Sequence, residues 1–486
     1  MKIRIITTAL LLMACKVQSQ ELLIDNVSIV SAHLPAKLLG QYIRIVDGRI
    51  ADISATALKP LTENPTRING TGKYLTPGIM DSHVHIGAVP GIGFINSDMA
   101  RQHSDLVDAY FQQQPKSFLY YGVTQVLNLG ATDGQTEFES ASVHPDYFTC
   151  QPIPVVGGYP AIDAEYTLNN SPYFIVDDDN EADIPSHIDR AQHTPEAVVA
   201  AIASTDAACI KIYIEDGFGG ASHWPMLSDS TLSRIRKAAD RHQMQVWAHA
   251  NAIDMYQIAL KHNVDGVAHG MWNWQWPQDQ NNPPVSQTLD KLIATDTAYM
   301  PTIQVMLALH GMFDDTVLSD TKRHLVLPQK LIAWFDTAEG QWFKQEVAAD
   351  FGDLPDAKIS ELLGYGVGRA QQAANYLFEN NHPLLLASDY PSSPSFAAAP
   401  GLSTHIEIQQ MAAAGVSAKA IFAAATLNGP KQFGMQNDYG TVEAGKIANL
   451  LLLEKDPSTS VTHWESLDTV ILHGTPIKRQ VFIANQ

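Results

Sequence analysis

Cysteine is scarce, with three residues in 486, too few for the disulfide framework of a small secreted domain. Charge is also sparse, at 17% of residues against 45% hydrophobic. A chain of that balance can bury a large core, which excludes wholesale disorder, collagen-like repeats and coiled coil. Basic residues are outnumbered, 31 against 51 acidic, for a net charge of −20. A surface of that sign repels phosphates, so neither nucleic acid nor an anionic membrane face is an expected partner. Past the first residues no long uncharged apolar run occurs, so no integral membrane span is expected. No Gly-x-Gly-x-x-Gly or P-loop follows a strand-like run, which removes support for a nucleotide-binding doubly wound sheet.

What is present begins with an export signal. Lys2 and Arg4 precede the apolar run 5–14, which is too short to span a bilayer and suits a signal-peptide h-region. Residues 1–19 are therefore set aside, and the mature protein is expected outside the cytoplasm, periplasmic or secreted. Cleavage falls either after Val17-Gln18-Ser19 or before Cys15, where Leu12-Met13-Ala14-Cys15 looks like a lipobox and would leave a lipid anchor. Of the other cysteines, Cys209 stands two residues before Lys211 in a β-like run. It shares the face of that lysine and is expected as a buried thiol rather than a bridge partner.

Residues 20–76 read as short strands with turn punctuation, including an Asp47-Gly48 hairpin signal between alternating runs. Similar text returns in 436–486, around Leu450-Leu451-Leu452-Leu453 and Val470-Ile471-Leu472. Two β-rich ends around a different middle predict one small β-sandwich-like domain built from both termini. In 77–435, strand-like runs ending at His85, Leu129, Val156, Tyr213, His249, His269, Val305 and Asp389 alternate with amphipathic stretches. That pattern predicts an α/β fold, a TIM-type (β/α)8 barrel. Two segments, 157–194 and 309–382, are too long for ordinary barrel loops and are expected as insertions on the C-terminal face.

Ligand-type side chains stand where these runs stop. His83 and His85 lie two apart and would present two imidazoles on one face of a strand, a chelating arrangement for a borderline metal. His249 and His269 each end an apolar run, and Asp389 follows Leu384-Leu385-Leu386-Ala387-Ser388. Lys211 sits inside Cys209-Ile210-Lys211-Ile212-Tyr213, where an ammonium finds no solvent. Taken alone it would be read as snorkelling or as pairing with Glu215 or Asp216.

Six such residues at strand ends, together with the segments 75–85, Gly122-Val123-Thr124, Ala248-His249-Ala250, Gly266-Val267-Ala268-His269-Gly270, Ser388-Asp389, 423–430 and 440–450, resemble the amidohydrolase superfamily. The likeness is to its imidazolonepropionase-like and prolidase-like exported members. It implies a two-metal site in which His83, His85 and Asp389 hold one divalent ion and His249 and His269 the other. Lys211, carboxylated by carbon dioxide, would bridge them. Zinc is the expected metal, with manganese, iron and cobalt also suited to these donors. The implied nucleophile is a bridging hydroxide, and Asp389 would accept its proton and pass it to the leaving amine. The chain departs from the family pattern at Asn449, where an Asp is common, and in loop three, which has Gly157-Gly158-Tyr159-Pro160 in place of a Gly-Gly-His run.

The resemblance implies hydrolysis of an amide-type carbon–nitrogen bond in a small molecule, a dipeptide or N-acyl amino acid. A cyclic amidase or lactonase could use the same site, and an inactive barrel that only binds would be expected to show gaps in the ligand set. Trp272, Trp274 and Trp276 alternate after His269 and read either as an aromatic wall for the substrate or as loop packing. Tyr213 shares the face of Lys211 and could reach a substrate carbonyl, or serve structure alone. Arg323 and His324 fall in the second insertion, where a carboxylate-binding role is open.

Overall fold

The computed structural model describes residues 21–130, 133–179, 183–218, 223–273, 285–314, 317 and 320–484. The expected signal peptide with Cys15, and Trp274 and Trp276, lie outside them. Both ends of the chain contribute to one eight-stranded sheet. Its order is Thr475–Lys478, Leu467–Leu472, Leu450–Leu453, Tyr74–Pro77, Glu21–Ile29, Leu38–Val46 and Arg49–Ser54, with Thr66–Asn69 also paired to Glu21–Ile29. Tyr74–Pro77 is the seam, antiparallel to Leu450–Leu453 and parallel to Glu21–Ile29. The Asp47-Gly48 hairpin forms as expected: Val46 pairs with Arg49, and the two turn residues have φ of 49° and 80°, the left-handed pair that a two-residue loop requires. Alternate residues Leu22, Ile24, Ile43, Ile45, Leu450 and Leu452 supply the core of this sheet.

Two further sheets are wholly parallel. One is ordered Asp146–Thr149, Val123–Asn128, Ile79–Val84; the other runs Gln151–Ile153, Cys209–Tyr213, Gln245–His249, Gly266–Val267, Ala298–Tyr299. Helices including Ser104–Tyr120, Pro195–Ala203, Asp229–His242, Ile253–Lys261 and Val285–Ala294 connect the strands. Parallel neighbours require such crossovers, which then cover the sheet. Residues 384–390 lie between the two sheets and are held by single bridges, Tyr299 to Leu384 and Val84 to Tyr390, and by Ser82 N donating to Leu386 O at 2.9 Å. The ladders therefore do not close into one sheet, and the run expected as an eighth strand carries bridges instead. The seventh expected strand is also shorter: it stops at Tyr299, and Val305 belongs to the helix Ile303–Gly311. Pro301 cannot donate to a ladder and Thr302 takes φ 40°, so the chain turns inside what reads as an unbroken apolar run.

Period-two alternation sorts the strand residues as expected. Cys209 and Trp247 join Met80, Leu127, Cys150 and Met300 in an inner cluster, while Ile210, Ile212, Val246 and Ala248 pack against the helices. Gly266 leaves room for the inner indole, since a Cβ there would sit 2.4 Å from the Trp247 ring. One expectation is overturned. Cys209 is buried, but it is no free thiol: it is disulfide-bonded to Cys150. Gln151 pairs with Ile210, so the register of two parallel strands sets Cys150 beside Cys209. Register between strands so far apart in sequence is not visible in spacing.

The first insertion serves packing. Asp177 accepts from Ser228 N at 2.7 Å and Ser228 Oγ at 2.9 Å, while Ser228 itself caps the helix Asp229–His242. In the second insertion, Trp342 Nε1 donates to Gly91 O at 2.6 Å, and a Cβ at Gly91 would lie 2.7 Å from Phe335. This insertion thus packs over the loop that follows His85. Among the described residues no helix is long and apolar enough to cross a membrane.

Asn449, the departure from the pattern of the resembled family, has a local reason. Its Nδ2 donates to Asp146 Oδ2 at 2.7 Å and its Oδ1 accepts from His473 N at 2.8 Å. Tyr439 OH and His473 Nε2 meet the same Asp146 carboxylate. An aspartate at 449 would set two carboxylates against each other, so the amide is the compatible choice here.

One buried imidazole makes stability depend on pH. His405, on the helix Leu402–Ala413, is buried against Tyr121. Burial, with Lys322 nearby, pulls it down to about 4. The folded state thus refuses a proton that the unfolded chain accepts near pH 6.5. The stabilisation is complete above that pH and falls away as pH drops from about 6.5 to about 4, by about 3 kcal/mol. Thermal midpoints taken from pH 7 to 4.5 should fall less steeply in His405→Leu than in the parent; parallel curves would contradict the assignment.

Candidate metal centre

The six residues singled out at strand ends come together. His83 and His269 have ring centroids 5.2 Å apart, His83 and His85 5.1 Å, and His249 and His269 4.4 Å. Asp389 lies among them: its Oδ1 is 3.0 Å from His83 Nε2 and 2.9 Å from His85 Nε2, and its Oδ2 is 3.3 Å from His269 Nδ1. Donor atoms of His83, His85 and Asp389 all fall within 4.8 Å of one another. Burial depresses the imidazoles of His83, His249 and His269, and the nearby charge of Lys211 adds to it.

Local structure aims each group. His83 Nδ1 is 3.2 Å from Ala268 O, so the ring presents Nε2 to the cluster. His85 fits because residue 130 is glycine; a Cβ there would lie 2.7 Å from His85 Nδ1. The Tyr256 hydroxyl donates to the His269 carbonyl and fixes that backbone. Asp389 adopts φ 54°, a left-handed conformation that Asp tolerates better than most residues, and its N–H donates to His83 O at 2.7 Å. Asp81 holds this arrangement from below. Its carboxylate accepts from His83 N, Ser388 N, Ser388 Oγ and Thr404 Oγ1 at 2.6–3.3 Å, tying the His83 segment to the Asp389 segment.

Sequence reasoning missed two further partners of the cluster. Glu215 Oε2 accepts from His249 Nε2 at 3.0 Å and Asn251 Nδ2 at 2.8 Å, and its Oε1 accepts from Gly217 N at 3.1 Å. This leaves His249 Nδ1 as the nitrogen not taken by the carboxylate, an arrangement that fixes the tautomer of a ligating imidazole. The alternative pairing of Lys211 with Glu215 does not occur, because Glu215 is engaged by His249. Alternation from Cys209 through Lys211 and Tyr213 to Glu215 was the available signal. Tyr159 is the second partner, with its ring 4.6 Å from His249 and 5.5 Å from Tyr213. Tyr213 is inward-facing and buried as expected, and Trp272 stands edge-on to His269 at 5.5 Å. Arg323 donates to Phe396 O and lies over Phe335, and His324 contacts Gln329 at 3.3 Å.

The electrostatics are those of a desolvated polar centre. Burial alone would raise the Asp389 carboxyl, but His83 and His269 hold it well below the carboxylate range. Burial lowers His83 to about 4 and Lys211 to about 7, with Asp389 opposing both shifts. His83 Nε2, His269 Nδ1, Lys211 Nζ and Asp389 Oδ1 are buried without a hydrogen-bond partner, although two of the N···O approaches are near 3 Å. Buried polar atoms are normally satisfied. Imidazole nitrogens gathered about one carboxylate form a donor set whose chemistry and spacing suit a divalent metal.

The parallel strands thus present a buried set of donors suited to a divalent metal. Residues 370–477 match the model of the amidohydrolase family. No curated protein matches the chain by sequence. Among solved structures the chain is similar to a Xaa-Pro dipeptidase with bound methionine, at 18% identity over 94% of this chain and 100% of that one, with a TM-score of 0.63. It is likewise similar to the A. niger ochratoxinase, at 17% over 95% and 96% with TM-score 0.64. The same holds for phenylurea hydrolase B, at 18% over 95% and 97% with TM-score 0.63. At 17–18% identity these likenesses show a shared fold, and the amidohydrolase model matches only a C-terminal part of the chain; the neighbours imply a TIM-type barrel with an extra domain.

Proposed function

We propose that the protein is an exported, binuclear metal-dependent amidohydrolase, a (β/α)8 barrel that cleaves the amide-type bond of a dipeptide or N-acyl amino acid. The observation that carries this reading is the convergence of imidazole nitrogens from His83, His85 and His269 on the buried Asp389 carboxylate. His83, His85 and Asp389 would hold one ion, and His249 and His269 the other. Lys211 suits the bridging role as a carbamate: a lysine lowered to about 7 has a substantial uncharged fraction near neutrality, and the uncharged amine is the form that adds to carbon dioxide. The carbamate anion also relieves the cost of an unpaired buried ammonium. Divalent ions bound there would lower the proton affinity of water and polarise a carbonyl. Asp389, ionised and at the centre of the cluster, would take the proton of the attacking water and deliver it to the leaving nitrogen. Export is supported by the Cys150–Cys209 bond, since disulfides persist in oxidising compartments.

Metal analysis of the purified protein should return about two transition-metal ions per chain, and Lys211→Ala about one or fewer; a single ion in the parent with unmodified lysine would overturn the bridging role. A screen of metal-loaded protein against dipeptides, N-acyl amino acids, cyclic amides and lactones tests the substrate class. Turnover confined to the last two would favour a cyclic amidase or lactonase.

A further inference from the structure

Three rings at the edge of the centre, Tyr159, Phe218 and Trp224, pack on one another. Tyr159 and Trp224 are nearly parallel, at 17° and 6.3 Å between centroids, and Phe218 stands edge-on to both, at 5.9 Å and 4.8 Å. The group is fixed to the metal ligands at one end, where Tyr159 lies over His249. It opens to solvent at the other, where Phe218 is 54% exposed.

The backbone builds this face deliberately close. Gly157 takes φ 75°, and a Cβ at Gly158 would lie 2.3 Å from Pro225 O. The loop bearing Tyr159 therefore sits directly on the segment bearing Trp224. Trp224 N donates to Asp216 O at 2.9 Å, one residue from the Glu215 that holds His249. A ring left half in water beside a desolvated polar centre is an apolar surface awaiting cover, because exposed aromatic area is costly and rings prefer edge-to-face or offset partners.

We infer that Tyr159, Phe218 and Trp224 form a specificity face that selects substrates carrying a planar aromatic group beside the scissile bond. The inference rests on the amidohydrolase reading and narrows it from small amides in general to aromatic ones. The ring of the substrate would lie against Phe218 and Trp224 while its amide reaches the His249 side of the centre. Tyr159, in ring contact with both His249 and Trp224, makes this wall aromatic.

The test compares matched pairs that differ only in the group beside the scissile bond, N-benzoyl against N-acetyl amino acids and phenylalanyl against alanyl dipeptides. The ratio of kcat/KM, aromatic over aliphatic, should be about tenfold or more in the parent and should fall about tenfold in Phe218→Ala and Trp224→Ala, while Phe218→Tyr restores it. A parent ratio near one, or a ratio unchanged in both alanine variants, would overturn the inference while leaving the amidohydrolase reading intact. If no amide is turned over, the broader reading fails. Binding of N-benzoyl-glycine by calorimetry then decides the face separately: affinity lost in Phe218→Ala sustains it, and no binding to the parent removes it.

Discussion

Asp389→Asn should lower kcat by about 10²- to 10⁴-fold, the range expected for loss of a positioned proton carrier, while leaving the fold in place. Asparagine shares the tolerance of aspartate for the left-handed backbone found at this position, and the N–H that donates to His83 O is retained. The carboxylate is what changes. Asp389 lies within 3.3 Å of three imidazole nitrogens and is kept ionised by His83 and His269, which puts a proton-accepting oxygen at the centre of the cluster. Steady-state kinetics should be read with far-UV dichroism and metal content. A kcat within about threefold of the parent, with metal retained, would remove Asp389 from proton transfer.

The second large effect is on stability. Cys150 and Cys209 are 59 residues apart in sequence, and a cross-link closing a loop of that size is worth about 4 kcal/mol in the chain-entropy account. Both sulfurs lie in the inner cluster beneath Lys211, beside Trp247 and Met300. Replacing the pair by Ala and Ala should therefore lower the denaturation midpoint and loosen the floor of the metal centre. Urea unfolding of the double variant against the oxidised parent measures the loss. An equal loss in the parent after reduction under mild denaturant would assign it to the bond itself, and identical midpoints would show that packing alone carries the site.

What could be read along the chain was whatever depends on local alternation. His83, His85, His249, His269 and Asp389 stand where apolar runs end and Lys211 stands inside one, and period two in a strand is enough to say which side chains face together. The Asp47-Gly48 turn was legible for the same reason. What escaped depends on register or on loop conformation. Cys150 meets Cys209 only because Gln151 aligns with Ile210. Asp81 reaches Ser388 and Thr404 across more than half the chain. Tyr159 arrives over His249 through glycine turns that no periodicity describes. The end of the seventh strand failed differently: an apolar stretch serves a buried helix as well as a buried strand, and Pro301 was the only mark of the change.

The sheet built from both chain ends has a consequence for the order of events in biosynthesis. Tyr74–Pro77 is made long before its partner Leu450–Leu453 leaves the ribosome. Until then the emerging polypeptide carries an unpaired strand edge and cannot complete this sheet. Under the proposed export, late completion would keep the chain in a form a translocation channel accepts. The closing strands would then form on the far side, where Cys150 and Cys209 would also be oxidised.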